Sequence, residues 1–138
     1  MKHPFILCVE IDDTLVLWKD ERRKGEIDPD SFEIDEQVLT IMQYCIECST
    51  ALVVLWSKGG LEYSSLWAKR LFDTDDVLPL AKTSIEDFCK IFTIKGIPIY
   101  VIDNSEDTDY RQELLFIYKT KPDMSFLIKQ IQAKGIAK

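Results

Sequence analysis

Two acidic residues with one residue between them follow the first apolar segment of the chain. Residues 5–9 are all apolar. Glu10 and Asp12 follow them, and Asp13 and Thr14 come next. A carboxylate can coordinate a divalent cation, attack an electrophile, or exchange a proton as a general acid or base. The sequence therefore predicts that segment 10–14 holds a divalent cation beside a phosphate group.

Polar residues also follow two later apolar segments. Ser57 comes after residues 51–56 and begins the run Ser57-Lys58-Gly59-Gly60, and Asp103 comes after residues 97–102. A hydroxyl and the backbone amides of a glycine turn that leads into a helix can receive phosphate oxygens. Lys82, in Leu80-Ala81-Lys82-Thr83, can supply a positive charge that stabilises a phosphoryl group and an anionic nucleophile.

The elements that must position these residues can be read from the apolar pattern. Three apolar runs without alternation predict strands buried on both faces, and apolar residues at helical spacing after Asp35 predict a helix that Asp35 caps. A charged stretch with Gly25 and Pro29 predicts an exposed loop or hairpin. The predicted strands are 5–9, 51–56, 77–80, 97–102 and a short one within 113–118; the predicted helices are 35–48, 61–72, one capped by Ser84, and 124–132.

Strands that alternate with helices predict an α/β fold with a three-layer, Rossmann-like parallel sheet and helices on both faces. In such sheets, ligands bind beyond the carboxyl ends of the strands. Glu10, Ser57 and Asp103 each follow a predicted strand. We therefore expect them at one edge of the sheet, in one site.

Length and composition predict one domain, residues 1–138. The chain is 46% hydrophobic and 30% charged, which is ordinary for a globular protein with one core. Its formal net charge of −7 argues against a nucleic-acid groove, which needs clustered Lys and Arg. The basic run Arg22-Arg23-Lys24 lies among acids and is interpreted as a solvated loop.

The apolar segments are too short to cross a membrane. The longest are of strand length, far below the roughly 20 residues that a spanning helix needs. Residues 5–9 are also too short for the core of a signal peptide. We therefore expect a cytoplasmic protein without a membrane partner.

The cysteines are interpreted as small hydrophobic residues. Cys8, Cys45 and Cys89 lie in apolar segments, and the spacing of Cys45 and Cys48 alone would suit a redox or zinc motif. Because no second cysteine pair accompanies them and His3 is the only histidine, a four-ligand zinc site cannot be assembled.

The acidic segment and the residues after the later strands resemble the haloacid dehalogenase (HAD) superfamily. Its members are mostly Mg²⁺-dependent phosphatases that work through an aspartyl-phosphate. The first motif of the family, Asp-x-Asp-x-Thr, corresponds to Glu10-Ile11-Asp12-Asp13-Thr14, with Glu in place of the first Asp. The second motif, a Ser or Thr after an apolar strand, corresponds to Ser57.

The remaining two motifs follow in the family's order. The lysine of the third motif corresponds to Lys82, with Lys90 and Lys95 as alternatives because that motif is little more than a lysine. The fourth motif, acids after a strand, corresponds to Asp103, with Asn104 beside it and Asp107 in the spaced form. The resemblance spans residues 5–107.

The resemblance implies a HAD-like sheet without a large cap and with a mobile flap at residues 17–31. It implies Mg²⁺ as cofactor and a phosphorylated substrate or ligand. The implied catalytic residues are Glu10, Asp12 and Lys82, the implied phosphate-binding residues are Ser57, Lys58 and Lys82, and the implied metal ligands are Glu10, Asp12 and Asp103, with Asn104 and Asp107 as additional candidates.

Glu10 leaves the function open between two classes. By resemblance the first acid attacks phosphorus and Asp12 is the acid and base, but Glu10 adds one methylene, about 1.5 Å, where a misplacement of about 1 Å can cost roughly 100-fold in rate. The chain is thus a HAD-like phosphatase or a catalytically silent metal- and phosphate-binding or protein-interaction domain.

Two other interpretations fit the residues less well. In an alternative register, Asp12 is the nucleophile and Thr14 takes the place of the second acid, but the nucleophile then lies two residues further from the apolar strand. A response-regulator-like receiver also gathers acids at strand ends and uses a lysine. That family lacks the Asp-Asp-Thr-Leu continuation.

Overall fold

The computed structural model describes residues 5–20, 22, 28–48, 51–72, 75–83, 87–88, 90, 97, 99–103 and 115–118, with the backbone alone for Cys48 and for 115–118. Seven strands and two helices lie within them. In chain order they are β1 (Ile6–Glu10), β2 (Val16–Trp18), β3 (Phe32–Ile34), α1 (Glu36–Cys48), β4 (Leu52–Ser57), α2 (Leu61–Phe72), β5 (Val77–Ala81), β6 (Ile99–Ile102) and β7 (Leu115–Tyr118).

Five of these strands form one parallel sheet in the order β5-β4-β1-β6-β7. Every neighbouring pair is parallel, and β1 in the centre pairs with both β4 and β6. The predicted α/β fold with a parallel sheet is therefore confirmed. The predicted strands are also present, each with its start shifted by no more than two residues.

The sheet is buried because its strands are apolar on both faces. Leu7, Val9 and Leu55 belong to the core on one face, and Cys8, Val54 and Trp56 belong to the core on the other. Successive residues of a strand point to opposite faces, so a run without alternation must be covered on both sides.

Helices α1 and α2 both cover the first face. Asp35 caps α1, since its Oδ1 accepts the backbone N–H groups of Gln37 at 3.0 Å and Val38 at 3.1 Å. Met42 from α1 and Trp67 from α2 are fully buried in the same core. On the opposite face, the helical residues 87, 88 and 90 contribute Phe88, whose ring lies 5.6 Å from that of Trp56.

The segment predicted as an exposed loop or hairpin lies between the two strands of an antiparallel hairpin. β2 and β3 pair with Val16 opposite Ile34 and Trp18 opposite Phe32, and a single 3₁₀ turn, Pro29–Ser31, precedes β3. Edge-to-face ring contacts join Trp18 and Phe32 of the hairpin to Trp67 of α2. The base of the segment predicted as a mobile flap is therefore packed against the first core.

Strand β5 lies at the end of the sheet formed by the described strands and carries Pro79 at its centre, opposite Leu55 of β4. The predicted cap Ser84 and the predicted helix 124–132 lie outside the described residues. No helix within the described part of the chain is long and apolar enough to cross a membrane.

Candidate functional site

The order of the strands brings Glu10 and Asp103 together. From β1 the chain crosses to β4 and β5 on one side of the sheet, then returns past β1 to β6 and β7 on the other. The crevice between β1 and β6 is thus the point where the strand order reverses, which is where α/β sheets bind ligands. Because Val9 pairs with Ile102, the next residues, Glu10 and Asp103, follow side by side at the carboxyl ends of these strands.

Lys82 forms an ion pair with both of these carboxylates. Its Nζ lies 2.6 Å from Oδ2 of Asp103 and 3.2 Å from Oε2 of Glu10. The side chains are 8% exposed for Lys82, 15% for Glu10 and 0% for Asp103, so the three charged groups are shielded from water. Buried charges are tolerated only when they are paired, and here one ammonium compensates two acids.

The surroundings of Glu10 favour its protonated form. Burial and the adjacent Asp103 carboxyl raise the pKa of Glu10 from the ordinary 4.5 to about 7, against the opposing effect of the Lys82 ammonium. Two carboxyl groups that share a small site cannot both be ionised without repulsion. The pair formed by Glu10 and Asp103 therefore holds a proton to a higher pH than an isolated carboxyl would.

Asp12 belongs to a second network. Its Oδ1 accepts hydrogen bonds from Tyr63 Oη at 2.6 Å and from Trp18 Nε1 at 3.0 Å. Its Oδ2 accepts one from Ser57 Oγ at 3.2 Å. Burial and the Asp12 carboxylate raise the pKa of Tyr63 far above its ordinary range, so the phenol remains a donor.

A tight turn after β1 carries Asp12 into this network. The carbonyl of Ile11 accepts the backbone N–H groups of Leu15 at 3.1 Å and Val16 at 2.8 Å, and the N–H of Asp13 donates to the carbonyl of Val16 at 2.8 Å. Asp13 has a φ of +61°, in the left-handed region that Asp and Asn tolerate better than most residues. Thr14 is 2% exposed, so its methyl and hydroxyl are part of the interior of the turn.

Ser57 joins the two networks. Its carbonyl accepts the backbone N–H of Lys82 at 2.9 Å, and its hydroxyl accepts that of Gly59 at 2.9 Å. The turn needs glycine at position 60, whose φ is +103°. The predicted strand–turn–helix unit is therefore present, and it links Lys82 to Asp12 through one residue.

The predicted site residues fall into three sets. Glu10, Lys82 and Asp103 are in contact, and Asp12 and Ser57 are in contact beside them. Lys58 is exposed at the turn.

Other predicted candidates are exposed or not described. Lys90 is exposed, whereas Lys82 is placed against Glu10 and Asp103. Asn104, Asp107 and Lys95 lie outside the described residues.

The predicted metal ligands Glu10, Asp12 and Asp103 are divided between the two networks. Within the described residues, no three His, Cys, Asp or Glu side chains are grouped so that they could hold a metal ion. The physical reason is that Tyr63, Trp18 and Ser57 engage Asp12, whereas Lys82 engages the other two acids.

Sequence reasoning missed Tyr63 and Trp18 as site residues. The sequence indicates for Trp18 only a packing role in the core or the flap, but its indole N–H reaches Asp12. One signal was present for Tyr63. It lies in the first turn of the helix that begins after the glycine turn, and that turn is at the same edge of the sheet as Glu10.

Comparison with protein-family models, with curated proteins and with solved structures gave no match.

Proposed function

We propose that the chain is a HAD-like phosphohydrolase scaffold without a large cap, which binds a phosphorylated substrate at the carboxyl edge of its sheet. The observation that carries the proposal is the contact of Lys82 with Glu10 and Asp103 at the point where the strand order reverses. Asp12 and Ser57 adjoin this contact through the backbone hydrogen bond between Lys82 and Ser57. In phosphoryl transfer, an acid can act as nucleophile, and a hydroxyl and a lysine can stabilise the charge of the phosphoryl oxygens.

The proposed reaction has two displacement steps. A carboxylate oxygen of Glu10 attacks phosphorus and forms an acyl phosphate, while the bond from phosphorus to the leaving oxygen breaks and Asp12 gives that oxygen a proton. A water molecule then attacks the acyl phosphate, Asp12 takes the proton of that water, and Glu10 leaves as a carboxylate. Lys82 and the Ser57 turn offset the negative charge of the phosphoryl oxygens in both steps.

The donor atoms of the site are chemically suited to Mg²⁺, which prefers carboxylate oxygens and retains several waters. Glu10 and Asp103 would hold the ion, with water molecules as its other ligands, while Asp12 keeps its present partners. The ion would neutralise charge on the phosphoryl oxygens.

Glu10 determines how much turnover to expect. Without a bound cation, a pKa of about 7 leaves part of the Glu10 population protonated near neutral pH, and a protonated carboxyl cannot attack phosphorus. Its extra methylene also displaces the attacking oxygen. A Glu10→Asp substitution restores the shorter side chain and, for a misplacement of about 1 Å, should raise turnover by up to roughly 100-fold.

Phosphate release from a panel of phosphate monoesters with Mg²⁺ tests this proposal. We expect slow turnover by the natural chain, faster turnover by Glu10→Asp, and loss of turnover in Asp12→Asn. Asp13→Asn is the matched control, because Asn keeps the positive φ and leaves Asp12 in place. A Glu10→Asp protein that folds but releases no phosphate from any monoester would contradict the proposal.

A second candidate function is phosphate binding without turnover. One observation favours it: Lys82 already compensates Glu10 and Asp103, and the three acids are divided between two networks. In that case phosphate or vanadate with Mg²⁺ should raise the melting temperature of the natural chain, and Lys82→Met should abolish the rise. Turnover that Asp12→Asn removes would exclude this second function.

A further inference from the structure

Asp12 is held by three donors from three different elements. Trp18 belongs to β2, Ser57 to the end of β4 and Tyr63 to the first turn of α2. Even Trp18, the closest of the three in sequence, is six positions away from Asp12. The orientation of this carboxylate is therefore a property of the assembled fold.

The donors are distributed unequally over the two carboxylate oxygens. Oδ1 accepts both Tyr63 Oη at 2.6 Å and Trp18 Nε1 at 3.0 Å, whereas Oδ2 accepts Ser57 Oγ alone at 3.2 Å. An ionised carboxylate oxygen offers about two lone-pair sites. Both sites of Oδ1 are consequently in use, whereas one site of Oδ2 remains without a donor among the described residues.

The two donors to Oδ1 are themselves fixed by ring packing. The Trp18 ring contacts Phe32 and Trp67 edge-to-face, with centroids 5.8 Å and 6.0 Å away, and the Tyr63 ring contacts Trp67 at 6.5 Å. The guanidinium of Arg70 lies 5.5 Å from the Phe32 ring centre. The hairpin and α2 thus hold one aromatic cluster that presents two polar hydrogens to one oxygen atom.

A purely structural role for these two rings does not explain their polar atoms. Phe in place of Tyr63 would retain the ring, and Phe in place of Trp18 would retain an aromatic side chain, yet both the indole N–H and the phenol O–H are directed at Asp12 Oδ1. Tyr44 is a tyrosine for comparison. It is also half-buried and packed against the first core, but it belongs to α1 and not to α2 or the hairpin.

We propose that Trp18 and Tyr63 are positioning residues that fix Asp12 through Oδ1, so that Oδ2, which accepts a single hydrogen bond, is the oxygen available to a bound ligand. The part of this inference that concerns the ligand rests on the proposed phosphohydrolase function. The part that concerns the geometry of Asp12 does not, and it can be measured in a protein without any turnover.

The geometric part is tested by ¹H–¹⁵N spectra of the tryptophan side chains. The chain has three tryptophans, and the buried indole N–H of Trp56 has no hydrogen-bond partner among the described residues, which makes it the internal reference. We expect the Trp18 indole proton downfield of that reference, and a shift of its resonance in Asp12→Asn but not in Asp13→Asn. A Trp18 resonance that Asp12→Asn leaves in place would overturn the inference.

The catalytic part is tested with Trp18→Phe and Tyr63→Phe, with Tyr44→Phe as the matched control. In the Glu10→Asp background, each of the first two should lower kcat by about 10- to 100-fold, with KM changed less than about twofold. Tyr44→Phe should leave both kcat and KM unchanged. Unaltered kcat in Trp18→Phe and Tyr63→Phe would overturn this part.

The two measurements separate the possible failures. If Glu10→Asp releases no phosphate while the Trp18 resonance responds to Asp12→Asn, the proposed function fails and the positioning of Asp12 stands. If phosphate is released and the resonance does not respond, the positioning fails and the function stands.

Discussion

The ammonium nitrogen of Lys82 lies 2.6 Å from the carboxylate Oδ2 of Asp103, which is fully buried. The two residues follow two different strands, β5 and β6, on opposite sides of the central strand β1. Their contact therefore passes across the carboxyl end of β1, where Glu10 is the third member. A buried charge pair of this kind constrains how the strand ends can move relative to one another.

Loss of the Lys82 ammonium should strongly destabilise the protein. Lys82→Met removes the charge but keeps the length of the side chain, and Asp103 and Glu10 then lose their shared positive partner. Breaking a buried pair in this way costs about 3–5 kcal/mol in the free energy of unfolding. Urea unfolding measures it, and Lys90→Met, at an exposed lysine, should stay within about 0.5 kcal/mol of the natural chain. A cost under about 1 kcal/mol for Lys82→Met would contradict the buried pair.

The raised pKa of Glu10 predicts the sign of a pH dependence. Because the folded-state pKa is about 7 and the ordinary value is 4.5, the folded protein binds this proton more tightly than the unfolded chain. The stabilisation is complete below pH 4.5 and is lost as the pH rises to about 7.

Glu10→Gln isolates that contribution, since Gln cannot titrate. Between pH 5 and 7, the free energy of unfolding of the natural chain should fall relative to that of Glu10→Gln, by urea unfolding in metal-free buffer. Parallel pH dependences in the two proteins would mean that Glu10 titrates as an ordinary carboxyl.

The cap of α1 should contribute a measurable part of the stability. Asp35→Ala leaves the N–H groups of Gln37 and Val38 without the acceptor they have now, at a cost of about 1 kcal/mol. Asp35→Asn is the control, because Asn caps as well as Asp and should stay within about 0.5 kcal/mol. Thermal unfolding of the natural chain and the two variants measures these costs. Equal losses of stability in both variants would assign the effect to charge rather than to capping.

Any side chain at position 60, in the turn after β4, should lower the stability of the protein. A Cβ on Gly60 would meet no atom within 4 Å, so a Gly60→Ala substitution tests the backbone alone. With φ at +103°, the expected loss is about 1–3 kcal/mol in the free energy of unfolding. A neutral Gly60→Ala substitution would show that the turn relaxes to another conformation.

The strands of the sheet and the helix cap could be predicted because each signal lies within a few neighbouring residues of the chain. An apolar run without alternation, such as residues 51–56, can be satisfied only by burial on both faces, and Asp35 is a helix cap whose donors lie two and three residues away. The sequence also favours Lys82 over Lys90 and Lys95. In the structure Ser57 pairs with Ala81, so the residue after β5 lies at the edge where β4 ends.

The orientation of Asp12 could not be predicted in this way. It depends on Tyr63, which lies 51 positions along the chain, and on Trp18, which a hairpin brings back over the turn. Their aromatic character accounts equally well for packing, and the sequence contains no local feature that distinguishes a ring with a polar contact from one without. The division of the three acids into two networks follows from these distant donors, so it could not be predicted from the sequence either.

Pro79 at the centre of β5 affects how copies of the protein meet one another. A strand at the edge of a sheet offers backbone groups with which a strand of a second molecule can pair, and such pairing is a route to aggregation. Proline has no N–H to donate, and edge strands are where it is tolerated within sheets. Its place in β5, opposite Leu55, interrupts the row of donors along this border. Within the described part of the chain, this border is therefore a poor template for a strand of a second molecule.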